Sequence, residues 1–326
     1  MEKQLHSLVF PVYNEEGNLN ELYEKTTSII DSLDEYEFEM IFVNDGSFDR
    51  TLEMLKEYAS KDNRIKIISF SRNFGHQTAI TAGIDASQGL TAIILDSDLQ
   101  DPPSLIPKMI EKWKEGYNVV YAKRLRRKGE SFFKLITAKL FYRMLYLVTR
   151  INIPLDTGDF RLIDRYVIDC LRQLPERNRY IRGLVTWIGF RQTGVEYERD
   201  QRHWGKTKYP FGKMMKLALD GISSFSVLPL KLASYFGFAM AFFSLVYILY
   251  IFYVKFFAKG LVQGWTSTVI LISLFGGIQL ICLGIIGEYI ARIFDESKKR
   301  PLYIIKEVVN LSDKQKEFIE ERKSKI

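Results

Sequence analysis

The chain has 326 residues, of which 47% are hydrophobic and 14% aromatic, and this composition excludes a disordered protein. Its net charge of +7 suits an anionic membrane surface, a phosphorylated substrate or nucleic acid. The two cysteines, Cys170 and Cys282, have no metal-ligand neighbours at useful spacing, so a cysteine metal site is excluded and a reducing compartment is expected.

The first part of the chain alternates short apolar strands with helices. Strands are predicted at residues 5–12, 38–44, 65–71, 91–96 and 118–122. Helices are predicted between them at residues 17–33, 50–60, 75–87 and 103–115. This order predicts an α/β fold with a mostly parallel sheet covered on both faces. Ligands of such sheets bind at the carboxyl ends of the strands, where Asn14, Asp45, Ser71 and Asp96 fall.

The rest of the chain carries membrane signals. Amphipathic helices at 131–150 and 209–226 mix basic and large apolar residues, so they either pack on the core or lie in a membrane interface. Residues 232–254 and 265–287 are each long enough to span a bilayer, which needs about 20 residues. Lysines and arginines flank this pair, which predicts that both termini are cytoplasmic. The charged tail after Asn310 is expected to be solvated.

These patterns predict three parts. Residues 1–228 form the catalytic domain with its amphipathic helices, 229–292 a two-helix transmembrane hairpin, and 293–326 a cytoplasmic tail. The glycines Gly277, Gly284 and Gly287 fall near one helical face and permit close packing, so a homo-oligomer formed through the membrane helices is an open expectation.

The strongest local signal is Asp96-Ser97-Asp98, which directly follows an apolar strand. Two acids at i and i+2 can face one ligand once the chain turns. Carboxylate oxygens suit Mg²⁺ or Mn²⁺, which bridges diphosphate oxygens. A solvated turn is the alternative, but the position at the ligand edge of the sheet favours the metal site.

Two loops beside this triplet have a structural and a functional interpretation each. Asp45, in Asn-Asp-Gly-Ser, either forms a turn or accepts hydrogen bonds from a base or ribose. In the first loop, Tyr13 is placed to flank a base and Glu15 to accept from it, whereas Asn14 is a candidate helix cap.

Two later segments also combine acids or cations with glycine. Asp159 is either an ion-pair partner of Arg161 or an acid near the reacting group of a substrate. Arg202 and Lys208 belong to a basic segment at 199–209, which is either a membrane-facing loop or a clamp on phosphates.

Taken together, these motifs resemble the family-2 inverting glycosyltransferases of the GT-A fold. More narrowly, they resemble the bacterial polyprenyl-phosphate (bactoprenol) glycosyltransferases, relatives of dolichol-phosphate mannosyltransferase. The motifs that carry the resemblance are PVYNEE at 11–16, VNDGS at 43–47, SRNFGHQ at 71–77, DSDLQDPP at 96–103, TGDFRLIDR at 157–165, RYIRGLVTWIGFRQ at 179–192 and GKTKY at 205–209.

The resemblance implies a role for each matching residue. The nucleotide-sugar would be bound by Pro11, Tyr13, Glu15, Asp45, Asp96, Ser97 and Gln100. Asp96 and Asp98 would hold Mg²⁺ or Mn²⁺, and the donor diphosphate or acceptor phosphate would be bound by Arg124, Arg202 and Lys208. Asp98 and Asp159 would be the catalytic residues, with Asp159 matching the family's proposed base. Whether Asp159 removes a proton or positions substrate stays open.

The expected activity is inverting transfer of a hexose from a nucleotide-sugar to undecaprenyl or another polyprenyl phosphate at the cytoplasmic face of the plasma membrane. UDP-glucose is the first expectation, ahead of UDP-GlcNAc, UDP-GalNAc, UDP-galactose and GDP-mannose. A flippase in the same pathway is an expected partner, and nucleic acid is not. The alternatives are another lipid or glycan acceptor, or a non-catalytic nucleotide-sensing membrane scaffold.

Overall fold

The computed structural model describes residues 3–125, 157–177, 179–197, 226–257 and 264–324. The chain divides into two compact units, one formed by Met1–Met214 with Arg300–Ile326 and the other by Met215–Lys299. The predicted amphipathic helices at 131–150 and 209–226 lie outside the described residues, apart from Ser226, as do Arg202 and Lys208. The predicted boundaries at 228 and 292 stay a prediction.

The first unit is built on one eight-stranded sheet with the order β7-β5-β6-β4-β1-β2-β3-β8. Its strands are β1 (Gln4–Val12), β2 (Tyr36–Asn44), β3 (Ile65–Phe70), β4 (Thr91–Ile94), β5 (Val119–Arg124), β6 (Thr157–Asp164), β7 (Gln192–Tyr197) and β8 (Ile305–Val309). Strands β1 to β4 are mutually parallel, and β5 is parallel to β7. Strand β6 runs antiparallel between β4 and β5, and β8 runs antiparallel to β3. The predicted mostly parallel α/β fold is therefore confirmed.

Helices connect and cover these strands. They are α1 (Leu19–Asp31), α2 (Thr51–Lys61), α3 (His76–Ala86), α4 (Ile106–Lys114), α5 (Arg165–Gln173), α6 (Ile181–Ile188) and α9 (Asp313–Ser324). The central strands are buried along most of their length because both faces are covered, and Leu8, Phe10 and Met40 are fully buried. The rings of Phe10 and Phe42 stack with centroids 4.7 Å apart inside this core.

The strand register brings several strand ends to one edge. Val12 pairs with Asn44, and Asn44 pairs with Ser69, so β1, β2 and β3 end side by side. Ile94 of β4 pairs with Arg161 of the antiparallel β6. Continuing this register by two residues brings Asp96 beside Asp159, although the two are far apart in the sequence.

The C-terminal segment completes the sheet, which the sequence analysis did not predict. Strand β8 forms its edge beside β3, and Leu311 and Gln315 are buried. The Gln315 amide donates to Glu39 Oε2 at 3.1 Å and to the Ala86 carbonyl at 2.7 Å. The expectation of a solvated tail is wrong at these residues, because a few buried contacts are enough to anchor an otherwise charged segment.

The second unit contains the two long helices α7 (Leu228–Phe257) and α8 (Trp265–Ser297). Their apolar stretches, Leu228–Val254 and Ile270–Ser297, have mean hydropathies of 2.0 and 2.3 and are not buried within the protein. Within this unit, Cys282 Sγ lies 3.6 Å from the Ala233 carbonyl, and the Tyr289 hydroxyl donates to the Ser226 carbonyl at 2.6 Å. The prediction of two apolar C-terminal helices that could cross a membrane is confirmed.

The glycines of α8 do not serve the contact between α7 and α8. A Cβ added at Gly277, Gly284 or Gly287 would meet nothing within 4 Å in the described residues. Self-association through these glycines stays a prediction.

Candidate functional site

Three polar side chains converge where β4 ends and β6 begins. His76, the first residue of α3, has its Nε2 3.1 Å from Asp159 Oδ2 and 3.4 Å from Asp96 Oδ1. One ligand atom from each of the three lies within 4.8 Å of the others. Asp98, the other predicted metal ligand, is not a member of this group, although its charge is among those that raise the pKa of Asp96.

Asp159 is fixed by several donors. Arg182, in the first turn of α6, donates from Nε to Oδ1 at 2.7 Å and from Nη2 to Oδ2 at 3.0 Å. Gln77 donates to Oδ2 at 3.2 Å. Arg161, the partner considered from the sequence, instead donates from Nη2 to the Gly158 carbonyl at 3.0 Å. The structure therefore pairs Asp159 with Arg182, which the sequence analysis did not identify.

The charges of this cluster shift its pKa values in different directions. Burial opposes ionisation of Asp159, but Arg182 and His76 hold the pKa of its carboxyl well below the usual range. Burial alone would lower the pKa of His76, but its hydrogen bond to the Asp159 carboxylate and the charge of Asp96 raise that pKa to about 9. Burial and the neighbouring acids raise the pKa of Asp96 to about 6, although His76 acts in the opposite direction.

Asp96 suits a divalent cation on structural grounds. Its Oδ1 is buried and accepts no hydrogen bond from any described residue. A carboxylate whose pKa is raised by burial and by neighbouring acids gains from a nearby positive charge, and hard oxygen ligands suit Mg²⁺ or Mn²⁺. Asp96 is thus a fitting ligand, and its partnership with Asp98 stays a prediction.

The Asp96-Ser97-Asp98 segment is held in a tight turn. The Ser97 hydroxyl donates to the Pro11 carbonyl at 3.1 Å, which ties this turn to the end of β1. The Gln100 amide donates to Asp98 Oδ1 at 3.2 Å, and Leu99 has a φ of +58°. Because leucine rarely adopts a left-handed backbone, the positive φ of Leu99 indicates a turn with a specific geometry.

Asp45 organises a second loop at the same edge. Its Oδ1 accepts from the Phe74 amide at 2.6 Å and its Oδ2 from the Gly75 amide at 3.0 Å. These bonds fix the residues immediately before His76. Asp45 is thus a loop anchor in the structure, and its predicted contact with a base or ribose stays a prediction.

Two further loops are joined by hydrogen bonds across their backbones. The amides of Asn14 and Glu15 donate to Ser47 Oγ at 3.0 Å and Thr51 Oγ1 at 2.9 Å. In return, the Phe48 amide donates to Asn14 Oδ1 at 3.0 Å. The predicted helix cap at Asn14 is not formed, because Asn14 instead bridges the loops with a φ of +53°. Tyr13 is thereby presented from a pre-organised loop, with its ring 6.0 Å from that of Phe48.

Arg124 lies on the other side of Asp159 and is anchored by buried groups. Its Nε donates to the Tyr197 hydroxyl at 3.1 Å, and its Nη2 lies 3.6 Å from Asp101 Oδ2. The Tyr197 hydroxyl also donates to Asp101. Gly158 makes room for this guanidinium, since a Cβ there would lie 2.6 Å from Arg124 Nη2. Arg124 is therefore held next to the residue that precedes Asp159.

The structure brings together most of the predicted residues that it describes. Strand ends and the turns after them place Pro11, Tyr13, Glu15, Asp45, Asp96, Ser97, Asp98, Gln100, Arg124 and Asp159 along one edge of the sheet. The sequence analysis assigned no role to His76, Gln77, Arg182, Asp101 or Tyr197. Two motifs, at 71–77 and 179–192, contained the first three, but only the folded chain shows that they meet at Asp159.

Gly46→Ala should destabilise the first unit strongly. Gly46 has a φ of +69°, and a Cβ would lie 2.4 Å from the backbone carbon of Arg72. The left-handed backbone alone costs about 1–2 kcal/mol, and the clash adds to this cost by displacing the loop that Asp45 anchors. Thermal unfolding measures the effect. Gly116→Ala is the matched control, because Gly116 has a φ of +90° but its Cβ would meet only Arg191 Nη1 at 3.5 Å. Equal losses of melting temperature in the two variants would contradict the clash.

Comparison with known proteins gives two family matches and several relatives. Residues 7–172 match the model described as Glycosyl transferase family 2, and residues 228–293 match the model described as GtrB C-terminal hairpin. The uncharacterized glycosyltransferase YkcC of Bacillus subtilis (strain 168) is 54% identical over 309 residues, covering 95% of each chain. A prophage bactoprenol glucosyl transferase homolog of Escherichia coli (strain K12) is 40% identical over 302 residues, covering 93% of this chain and 98% of the relative. The bactoprenol glucosyl transferase of Shigella phage SfV is 41% identical, covering 92% of this chain and 97% of the relative.

Proposed function

The chain belongs to glycosyl transferase family 2, and on this premise we propose that it transfers a hexose from a nucleotide-sugar to a polyprenyl phosphate, with inversion at the anomeric carbon. UDP-glucose is the proposed donor. The observation that carries this proposal is the combination, in one chain, of the acidic strand edge with a segment that matches the GtrB C-terminal hairpin. Relatives named bactoprenol glucosyl transferase, or a homolog of one, that are 40–41% identical over most of the chain support it.

The nucleotide would bind at the ends of β1 and β2. Tyr13 would flank the base from its pre-organised loop, and Pro11, Glu15 and Asp45 would contact the nucleoside. Both oxygens of Asp45 already accept backbone amides, but each carboxylate oxygen has a second lone pair for a ligand donor. A bound nucleotide would therefore also contact the loop that leads to His76.

The diphosphate would lie between the acids and the cations. A Mg²⁺ or Mn²⁺ ion held by Asp96 and Asp98 would supply positive charge to the leaving diphosphate. Ser97 and Gln100 would line the donor subsite beside it. Arg124, fixed by Asp101 and Tyr197, would bind phosphate oxygens together with Arg202 and Lys208.

In the proposed reaction, an oxygen of the acceptor phosphate forms the new bond to the anomeric carbon. The bond from that carbon to the donor diphosphate breaks on the opposite face, and the nucleoside diphosphate leaves with the electron pair. A phosphate monoester with a second pKa near 6 is mostly dianionic at neutral pH, so the acceptor needs little deprotonation. The reaction therefore depends more on stabilising the developing charges and on positioning the acceptor than on a general base.

Asp159 fits the positioning role better than the base role. Its Oδ2 already accepts from Arg182 and Gln77 and contacts His76, while its Oδ1 accepts from Arg182. A carboxylate with so many donors and a pKa held well below its usual range has little affinity for another proton. We therefore assign to Asp159 the stabilisation of positive charge on the sugar and the placement of the reacting groups.

The hairpin would hold this site at a membrane. A polyprenyl chain is insoluble in water, so its phosphate is reached only at the bilayer surface. The spans in α7 and α8 would keep the protein in the plasma membrane with the catalytic domain and both termini cytoplasmic. Protease digestion of sealed vesicles tests the orientation: the tail after Arg300 should be cut in inside-out vesicles and protected in right-side-out ones.

A donor screen tests the proposed function. Purified full-length protein in detergent is mixed with undecaprenyl phosphate, Mg²⁺ or Mn²⁺ and each of UDP-glucose, UDP-GlcNAc, UDP-GalNAc, UDP-galactose and GDP-mannose. Acceptor-dependent release of nucleotide and a labelled lipid that mild acid hydrolyses are the expected results, with UDP-glucose the best donor. A labelled lipid that resists mild acid would indicate a different lipid acceptor, and nucleotide binding without any turnover would indicate a sensing scaffold.

A further inference from the structure

We propose that Arg182 is the positioning residue for Asp159, so that it sets the orientation and the charge of this carboxylate in the transfer reaction. This inference rests on the proposed function. It concerns a residue outside the acid triplet and the basic segment, and it assigns Arg182 to the chemical step rather than to binding of the nucleotide.

The first argument is the geometry of the ion pair. Arg182 uses Nε and Nη2 for the two oxygens of Asp159, at 2.7 and 3.0 Å, so the carboxylate is gripped along one edge. Such a bidentate pair fixes the plane of the carboxylate as well as its distance, which a lysine ammonium cannot do. The Asp159 side chain is only 5% exposed, so water competes little for this pair.

The second argument is that the guanidinium is itself fixed. Its Nη1 donates to the Thr157 carbonyl at 3.1 Å, so Arg182 binds the first residue of β6 and the side chain two residues later. Gln77 then ties the helix of Arg182 to the same carboxylate: its Oε1 accepts from the Ile181 amide at 3.0 Å, and its Nε2 donates to Asp159. These contacts hold the N-terminal ends of α3 and α6 and the start of β6 around one carboxylate.

The third argument separates this role from phosphate binding. The Asp159 carboxylate engages two of the three guanidinium nitrogens, and the third faces the Thr157 carbonyl. Arg124 is arranged differently, because its described partners are a tyrosine hydroxyl at 3.1 Å and an acid 3.6 Å away. The guanidinium of Arg182 is therefore fully engaged by Asp159 and Thr157. Removing it should lower the rate of the chemical step more than it weakens binding of the donor.

The test compares Arg182→Gln and Arg182→Lys with wild-type protein in full-length form. We expect Arg182→Gln to lower kcat about 100-fold, the cost of a misplaced reacting group, with the donor KM and the Kd for UDP unchanged within about twofold. Arg182→Lys keeps the positive charge but cannot make the bidentate contact with both oxygens of Asp159, so it should retain only part of the wild-type kcat. Arg64→Gln is the matched control, because Arg64 makes a bidentate pair with Asp62 away from the site; its kcat should equal that of wild type.

A double variant shows whether Arg182 acts through Asp159. Arg182→Gln introduced into Asp159→Asn should reduce the residual rate by less than about twofold, because residues that act as one unit are not additive. A raised Kd for UDP would instead make Arg182 a phosphate ligand, and unchanged kcat, additive losses or full recovery by lysine would also overturn the proposal.

If wild-type protein transfers to no polyprenyl phosphate, the proposed function fails. The same variants then test Arg182 on the slow hydrolysis of the donor by water, where the same loss is expected and equal rates overturn the proposal.

Discussion

Asp159→Asn should reduce sugar transfer about 10³-fold, the loss expected when a pre-organised electrostatic group is removed, and raising the pH should not restore it. The amide keeps the shape of the side chain but removes its negative charge and its bidentate pair with Arg182. The acceptor phosphate is already dianionic above its second pKa near 6. A higher pH therefore supplies nothing that the variant lacks.

The pH profile of wild-type protein follows from the same pKa shift. Because the pKa of Asp159 is held well below its usual range, the carboxylate stays charged throughout the neutral and mildly acidic range. Its contribution to transfer should therefore not titrate there. Transfer rates measured for both proteins from about pH 6.5 to 8.5, between the pKa of Asp96, about 6, and that of His76, about 9, check this expectation. A rate of Asp159→Asn that climbs with pH towards that of wild type would show that Asp159 acts as a base.

A conservative control separates charge from folding. Asp62→Asn removes a carboxylate that also pairs with an arginine through two nitrogens, Nε and Nη2 of Arg64. Asp62 lies at the end of α2, away from the cluster around Asp159. Its variant should transfer sugar at the wild-type rate, so a comparable loss in both variants would point to general destabilisation.

Replacing Asp96 and Asp98 together by alanine should abolish transfer, with a loss of at least about 10³-fold. The proposed reaction depends on a divalent ion at these acids to neutralise the leaving diphosphate. The remaining activity should no longer respond to Mg²⁺ or Mn²⁺, and the ion-dependent part of UDP affinity should be lost. Nucleotide release and UDP titrations at several ion concentrations measure both effects, with EDTA-treated wild type as the reference.

Removing the charge of Asp96 alone should not destabilise the protein. The pKa of Asp96 is raised to about 6 by burial and by neighbouring acids, so its ionised form is disfavoured by the fold. A carboxyl whose pKa is raised on folding costs stability at pH values above that pKa. At pH 7 to 8, Asp96→Asn should therefore melt no lower than wild type.

A control pair and a contrary result complete this test. The double variant Asp31→Ala and Asp34→Ala removes two exposed acids from the first unit and should keep both the rate and the ion response. Transfer that survives loss of both Asp96 and Asp98 would refute the metal assignment. Loss of rate with an unchanged ion response would instead place the ion on ligands other than Asp96 and Asp98, such as His76 and Asp159.

Local sequence patterns determined the first five strands, the four helices between them and the edge at which those strands end. Short apolar runs ending in polar turns locate strands reliably because a strand buried on both faces must be apolar along its length. The parallel order then requires the strand ends to share an edge, so Tyr13, Asp45 and Asp96 could be assigned to one site before any coordinates were known. The two apolar helices of the second unit could also be predicted from the sequence, because a helix that spans a bilayer needs a long run of uncharged residues.

The tertiary structure decided which groups meet at that edge. The antiparallel insertion of β6 between β4 and β5 places Asp159 beside Asp96, and no local pattern encodes that pairing. Arg182 rather than Arg161 reaches Asp159, because the placement of α6 in the fold, and not distance along the chain, sets which guanidinium is near. For the same reason, β8 joins the sheet and Leu311 and Gln315 are buried, although the composition of the charged segment after Asn310 predicts only solvation. Periodicity and turn chemistry are local properties of the chain, whereas ion pairs and strand partners are set by packing between segments distant in sequence.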